Sequence, residues 1–132
     1  MKIFVDTSAL YALVSIKDIN NRVSVETWEE FTQQRRRLTI NNYVLVECFS
    51  LLQSRLGLES TVYLQSEIVP FLAIDWIEEK QHDAAINHLF TANRRNLSLV
   101  DCASFETMRR LGIETVFTFD EHFRDQGFKV IP

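Results

Sequence analysis

The sequence predicts an α/β fold, an open parallel-sheet α/β/α sandwich. Three observations lead there. Short apolar runs, partly β-branched, alternate with longer segments of helical period along the whole chain. Capping residues open several of the longer segments and glycines close them. The first short run, "KIFV", reads as a strand covered on both faces.

The elements follow in order. "KIFV" (2–5) is the first strand. Ser8 is a candidate N-cap for a helix over "ALYALV". "NRVSVETWEEFTQQ" (21–34) is a second helix, with Val23, Trp28 and Phe31 roughly on one stripe. "RLTI" (37–40) is the second strand. Asn41 or Asn42 caps a long helix to Leu56, which Gly57 stops. "ESTVYLQSEIVPFL" (59–72) continues as helix, with Pro70 near its end, and "AIDWI" (73–77) is a third strand. Helices over "EKQHDAAINHLFTANRR" (79–95) and "LSLVDCASFETMRRLG" (97–112) follow, the second capped by Ser98 and stopped by Gly112. "TVFTF" (115–119) and "FKVI" (128–131) are the last strands. In such sheets the functional crevice lies at the carboxyl ends of the strands, where strand order reverses.

The length of 132 residues suits one domain, taken as 1–132. At 46% hydrophobic and 24% charged, the composition is that of an ordinary globular protein. No apolar run is long enough to span a membrane, and Asp6 breaks the only stretch resembling a signal peptide. A cytoplasmic protein is expected. Cys48 and Cys102 form no C-x-x-C motif and read as buried free thiols. The net charge of −4 means that nucleic acid would need a local basic patch. Arginines at 35–37, 94–95 and 109–110 are candidates, although each also suits a solvated helix end.

Four carboxylates stand where apolar residues surround them. Glu47 interrupts "NNYVLVECFSLL" in the first or second turn of the helix after the second strand. Asp6 follows the first strand, Asp120 follows "TVFTF", and Asp101 lies in the first turn of its helix. All four can reach one rim of the sheet. Two unit charges about 4 Å apart repel by roughly 4 kcal/mol at an effective dielectric near 20, so four acids call for protonation or a cation. Hard divalent ions, Mg²⁺ or Mn²⁺, suit oxygen ligands.

Each acid also has a plainer reading. Asp6 suits an N-cap, Asp101 complements a helix dipole, Asp120 starts a turn, and Glu47 pairs with Arg55 or Arg109. Together the plainer readings weaken, because every acid interrupts an apolar run at the same edge. Asp75 reads as an edge residue and Asp125 as solvated. His82 and His88 read as surface residues, and His122 has a slim prospect of touching substrate phosphate.

In "FVDTSAL", "NNYVLVECFSLL", "LSLVDCASFETMRRLGI" and "VFTFDEHFRDQGFKVI", taken in order, the sequence resembles PIN-domain ribonucleases, in particular VapC-type toxins. The resemblance implies metal-dependent hydrolysis of single-stranded RNA, with Mg²⁺ or Mn²⁺ as cofactor. It implies Asp6 and Asp101 as principal ligands, Asp120 completing the site, and Glu47 holding a second ion or orienting water. Ser8 and Thr118 would supply supporting hydroxyls. A small antitoxin and a homodimer are the implied partners, with Tyr11, Trp28 and Phe31 offering an apolar groove on the first two helices. Val100 and Asn21 stand where the family often has threonine and histidine. Rival readings are a housekeeping RNA-processing PIN nuclease and a catalytically silent PIN-like module. A receiver domain would need adjacent acids after the first strand, and a haloacid-dehalogenase-type phosphotransferase would need a second aspartate where Ser8 stands.

Overall fold

The computed structural model describes residues 1–132. Five parallel strands form one sheet in the order β3-β2-β1-β4-β5. They are β1 (Lys2–Val5), β2 (Arg37–Asn41), β3 (Leu72–Asp75), β4 (Thr115–Phe117) and β5 (Lys129–Ile131). The helices are α1 (Thr7–Val14), α2 (Asn21–Gln33), α3 (Asn42–Leu56), α4 (Leu58–Tyr63), α5 (Glu79–Ala92), α6 (Leu99–Leu111) and α7 (His122–Asp125). The expected α/β/α sandwich is therefore the architecture.

β1 lies at the centre of the sheet, with Ile3, Phe4 and Val5 all buried. That explains why its sequence is apolar without alternation. In register, Ile3 pairs with Leu38 and with Thr115, so the first strand is flanked by residues from both halves of the chain. Around it pack Leu10, Ile40, Phe105, Met108, Val116 and Phe117, all buried. At about 25 cal/mol per Å² of apolar surface, this core is the main source of stability.

The helix limits follow local chemistry. Asn41 is the cap of α3: its Oδ1 accepts from the Val44 N–H at 2.8 Å. Asn42 has another use, accepting from the Ile77 N–H at 2.6 Å. Gly57 (φ 95°) and Gly112 (φ 69°) end α3 and α6 in backbone that disfavours a Cβ. Asn93, at φ 50°, caps α5 after Ala92, three residues short of the expected end.

Several expectations need correction. Ser8 does not cap α1; the helix starts at Thr7 and the Ser8 hydroxyl is bonded elsewhere. The segment 59–72 is not one helix. After α4 it passes through a π-helical turn (Leu64–Ile68) and a 3₁₀ turn (Val69–Phe71), where Pro70 lacks the N–H a helix needs. β3 ends at Asp75, leaving Trp76 exposed, and β4 ends at Phe117. On α2 the buried stripe is Ser24, Thr27, Trp28 and Phe31, while Val23 is exposed. Trp28 packs edge-on to Phe71 and Phe31 edge-on to Phe117, so both belong to the core and leave no groove there.

Candidate active site

β1 and β4 are neighbours in the sheet but far apart in sequence, so strand order reverses between them. Their carboxyl ends carry Asp6 and Thr118. The Asp6 N–H donates to the Phe117 carbonyl at 3.0 Å. Asp6 Oδ2 accepts from Thr118 Oγ1 at 2.9 Å and from Ser8 Oγ at 3.1 Å. The two hydroxyls are themselves 3.1 Å apart. Backbone N–H groups of Phe119 and Asp120 then donate to Ser8 Oγ (3.0 Å) and Thr118 Oγ1 (2.9 Å). This network ties the loop after β4 to the start of α1. Asp6 stands at the N-cap position of α1, yet its side chain accepts no capping bond and is 4% exposed.

The other acids arrive from three further elements. Glu47 projects from α3 and is half-buried. Asp101 sits in the first turn of α6, in a reciprocal pair with Ser98. The Ser98 N–H donates to Asp101 Oδ2 at 3.1 Å, and the Asp101 N–H donates to Ser98 Oγ at 3.0 Å. Asp120 Oδ1 accepts from the His122 N–H at 2.9 Å. Asp6, Glu47, Asp101 and Asp120 all line one cleft of about 390 Å³. The plainer readings of Asp101 and Asp120 thus hold alongside this convergence: each organises its own backbone and still faces the cleft. Glu47 forms no ion pair with Arg55 or Arg109.

His122 is the residue whose place the sequence undervalued. Its Nδ1 lies 3.2 Å from Asp120 Oδ1 and 3.6 Å from Asp101 Oδ2. Neither approach is aligned as a hydrogen bond, so this buried nitrogen has no hydrogen-bond partner. The only sequence signal was its position two residues after Asp120. The turn of helix α7 aims the imidazole. The adjacent Phe123 anchors that turn, buried edge-on against Phe105 with centroids 5.0 Å apart.

Burial and mutual repulsion disfavour ionisation here. Burial raises the Asp6 carboxyl to about 7, against hydrogen bonds from Thr118 and Ser8 that pull it down; the Asp101 charge adds to the rise. Glu47 is raised, first by burial and then by the charges of Asp101 and Asp120. Asp101 is raised by burial and by Asp120, with the Ser98 N–H acting in the opposite sense.

These residues fit a divalent ion. One ligand atom each from Asp101, Asp120 and His122 lie within 4.8 Å of one another. The unpartnered Nδ1 of His122 supplies a free donor beside two carboxylates. Carboxylates suit Mg²⁺ or Mn²⁺, and an imidazole among them favours the first-row ion. Asp6 and Glu47 stand outside this tightest group, on the same cleft.

The remaining candidates lie elsewhere. The His82 ring faces the Tyr43 hydroxyl, His88 Nδ1 is 3.3 Å from Glu106, and Asp75 pairs with Arg110. Asp125 is exposed. Cys48 and Cys102 are buried and free.

The family model of the PIN domain matches residues 3–129. This chain belongs to the PIN-domain family. Among similar proteins is the 23S rRNA-specific endonuclease VapC20 of Mycobacterium tuberculosis, 28% identical over 127 residues, covering 96% of this PIN domain and 95% of that protein. The crystal structure of VapC20, described as a sarcin–ricin loop cleaving toxin, superposes with a TM-score of 0.85 at 28% identity, with coverage of 96% and 95%. FitAcB from Neisseria gonorrhoeae shares the fold with a TM-score of 0.71 at 15% identity, over 100% of this PIN domain and 97% of that chain.

Proposed function

We propose that this PIN domain is a divalent-metal-dependent endoribonuclease and the toxin of a type II toxin–antitoxin pair. The observation that carries this reading is the meeting of Asp6, Glu47, Asp101 and Asp120 on one cleft at the strand-order reversal. Full-length similarity to an rRNA-cleaving VapC supports it.

In this reading Asp6, Asp101 and Asp120 hold Mg²⁺ or Mn²⁺, with His122 available beside them. When bound, such an ion activates water and offsets charge on the attacked phosphate. Glu47 orients the incoming water or helps hold a second ion. Ser8 and Thr118 hold one oxygen of Asp6 by their hydroxyls, leaving the other for the cleft. Hydrolysis adds the water oxygen to phosphorus and releases the sugar oxygen of the cut strand.

The proposed partners are RNA, a small antitoxin and a second copy of the chain. Leu58, Val62 and Tyr63 of α4 are exposed apolar side chains, the kind of surface that protein contacts cover. No helix is long and apolar enough to cross a membrane, in keeping with a cytoplasmic toxin.

The test uses purified protein and ribosomal RNA, with Mg²⁺, Mn²⁺ or a chelator, and maps new 5′ ends by primer extension. Discrete cuts are expected from wild type with metal, and none from Asp6→Asn or Asp101→Asn. Cleavage that survives both substitutions and the chelator would refute the reading.

A further inference from the structure

We propose, building on the nuclease reading, that Arg55 stacked on Tyr11 seats the RNA strand beside the acids: the guanidinium takes a backbone phosphate and the ring supports a base.

The cleft presents an electrostatic difficulty. Five carboxylates line it, Asp18 in addition to the four acids, and the whole chain carries a charge of −4. A polyanion entering there meets repulsion everywhere except where a bound ion or a cationic side chain offsets it. Arg55 is the single basic residue lining the cleft.

Its state fits that task. Arg55 is exposed, and neither an ion pair nor a hydrogen bond engages its guanidinium. Three arginines outside the cleft are occupied, Arg22 by Glu26, Arg110 by Asp75 and Arg109 by Gln126, and those that are free do not line it. What holds Arg55 is an aromatic face, with its Cζ 5.3 Å from the centroid of the Tyr11 ring. Such stacking steadies the planar head while leaving its N–H fork free for phosphate.

The placement gives the strand a direction. Arg55 lies eight residues beyond Glu47 on α3, about 12 Å along the axis at 1.5 Å per residue. Tyr11 lies three residues beyond Ser8 on α1, on a neighbouring position of the same helix face. Both helices therefore carry a metal-end residue and a far-end residue of one cleft. A strand cut at the acids would run along the cleft to the Tyr11–Arg55 pair. An aromatic ring beside a cation is how single strands are gripped without reading their sequence.

The experiment measures steady-state cleavage in Mn²⁺ of a fluorophore-labelled synthetic RNA carrying the sarcin–ricin loop sequence, at several salt concentrations. For Arg55→Ala, KM should rise about tenfold with kcat within about twofold. The slope of log(1/KM) against log salt should become shallower by about 0.7, the value for one phosphate contact on a single strand. Arg55→Lys should keep the wild-type slope. Tyr11→Leu should raise KM without changing the slope, and Tyr11→Phe should restore it. Arg36→Ala, removing one charge just before β2 at the opposite edge of the sheet, is the control. Unchanged KM and slope in Arg55→Ala, or an equal change in Arg36→Ala, would overturn the assignment while leaving the nuclease reading intact. A wild-type chain that cuts no RNA with either metal would overturn both.

Discussion

Thr118 Oγ1 donates to Asp6 Oδ2 at 2.9 Å across 112 positions of sequence, joining the carboxyl ends of β1 and β4. The bond positions a buried carboxylate and also accounts for part of its acidity. Thr118→Val keeps the shape and removes the donor. It should cost about 1–2 kcal/mol of stability in a medium where Asp6 is ionised. It should also lower cleavage through poorer metal binding. Thermal melts and Mn²⁺ titrations at pH 8 check both; unchanged Mn²⁺ affinity would show that the hydroxyl has no part in fixing Asp6.

Stability of the metal-free protein should fall as pH rises. The folded chain holds the Asp6 proton up to about 7, whereas an ordinary aspartate releases it near 3.8. Between those values the folded state binds more protons than the unfolded one, so unfolding becomes easier with increasing pH. The contribution is complete below about 4 and exhausted above about 7. Glu47 and Asp101 are raised as well and steepen the same slope. Melts in chelator from pH 5 to 7.5 should show a declining midpoint for wild type and a flatter line for Asp6→Asn. Parallel lines would contradict the burial of an ionisable Asp6.

His122→Ala should weaken Mn²⁺ binding about tenfold and Mg²⁺ binding less, because an imidazole donor matters more to the first-row ion. Calorimetric titration of both ions against both proteins decides this. Equal losses for the two ions would assign His122 to holding Asp101 and Asp120 in place.

Asn41 joins fold and site. Its Oδ1 caps α3, the helix that carries Glu47, while its Nδ2 donates to Thr107 Oγ1 on α6 at 3.1 Å. Asn41→Ala removes a helix cap and a buried hydrogen bond together, and should cost about 2–3 kcal/mol. A denaturant midpoint that hardly moves would show that neither bond contributes.

The two thiols should be silent in the folded protein. Burial pushes Cys48 up to about 12 and Cys102 up to about 11, and the nearby acids add to both. A thiol reagent at pH 8 should label neither until denaturant is added, since only thiolates react. Rapid labelling of Cys102 alone would mean that α6 opens locally.

Much of this was visible in the sequence because it rests on local chemistry. Gly57 and Gly112 end helices wherever they occur in such a pattern, and an acid directly after a doubly buried strand has few places to point. Long-range packing was hidden. Leu64 and Ile68 keep helical spacing, so nothing local marked the π turn they sit in. Trp28 and Phe31 suit a groove or a core equally well until Phe71 and Phe117 arrive beside them. The four-residue helix α7 is too short for periodicity to find, and the direction of His122 depends on it.

The sheet order has a consequence during synthesis. β1 is made first and sits in the middle, but its neighbour β4 and the turn bearing Asp120 and His122 come after residue 114. A nascent chain still held at the ribosome carries Asp6, Glu47 and then Asp101 with no Thr118 to position the first of them. Domains fold as their residues emerge, N-terminal parts first. The cleft is thus among the last features to assemble, and a chain stalled before β4 lacks the arrangement that brings its acids together.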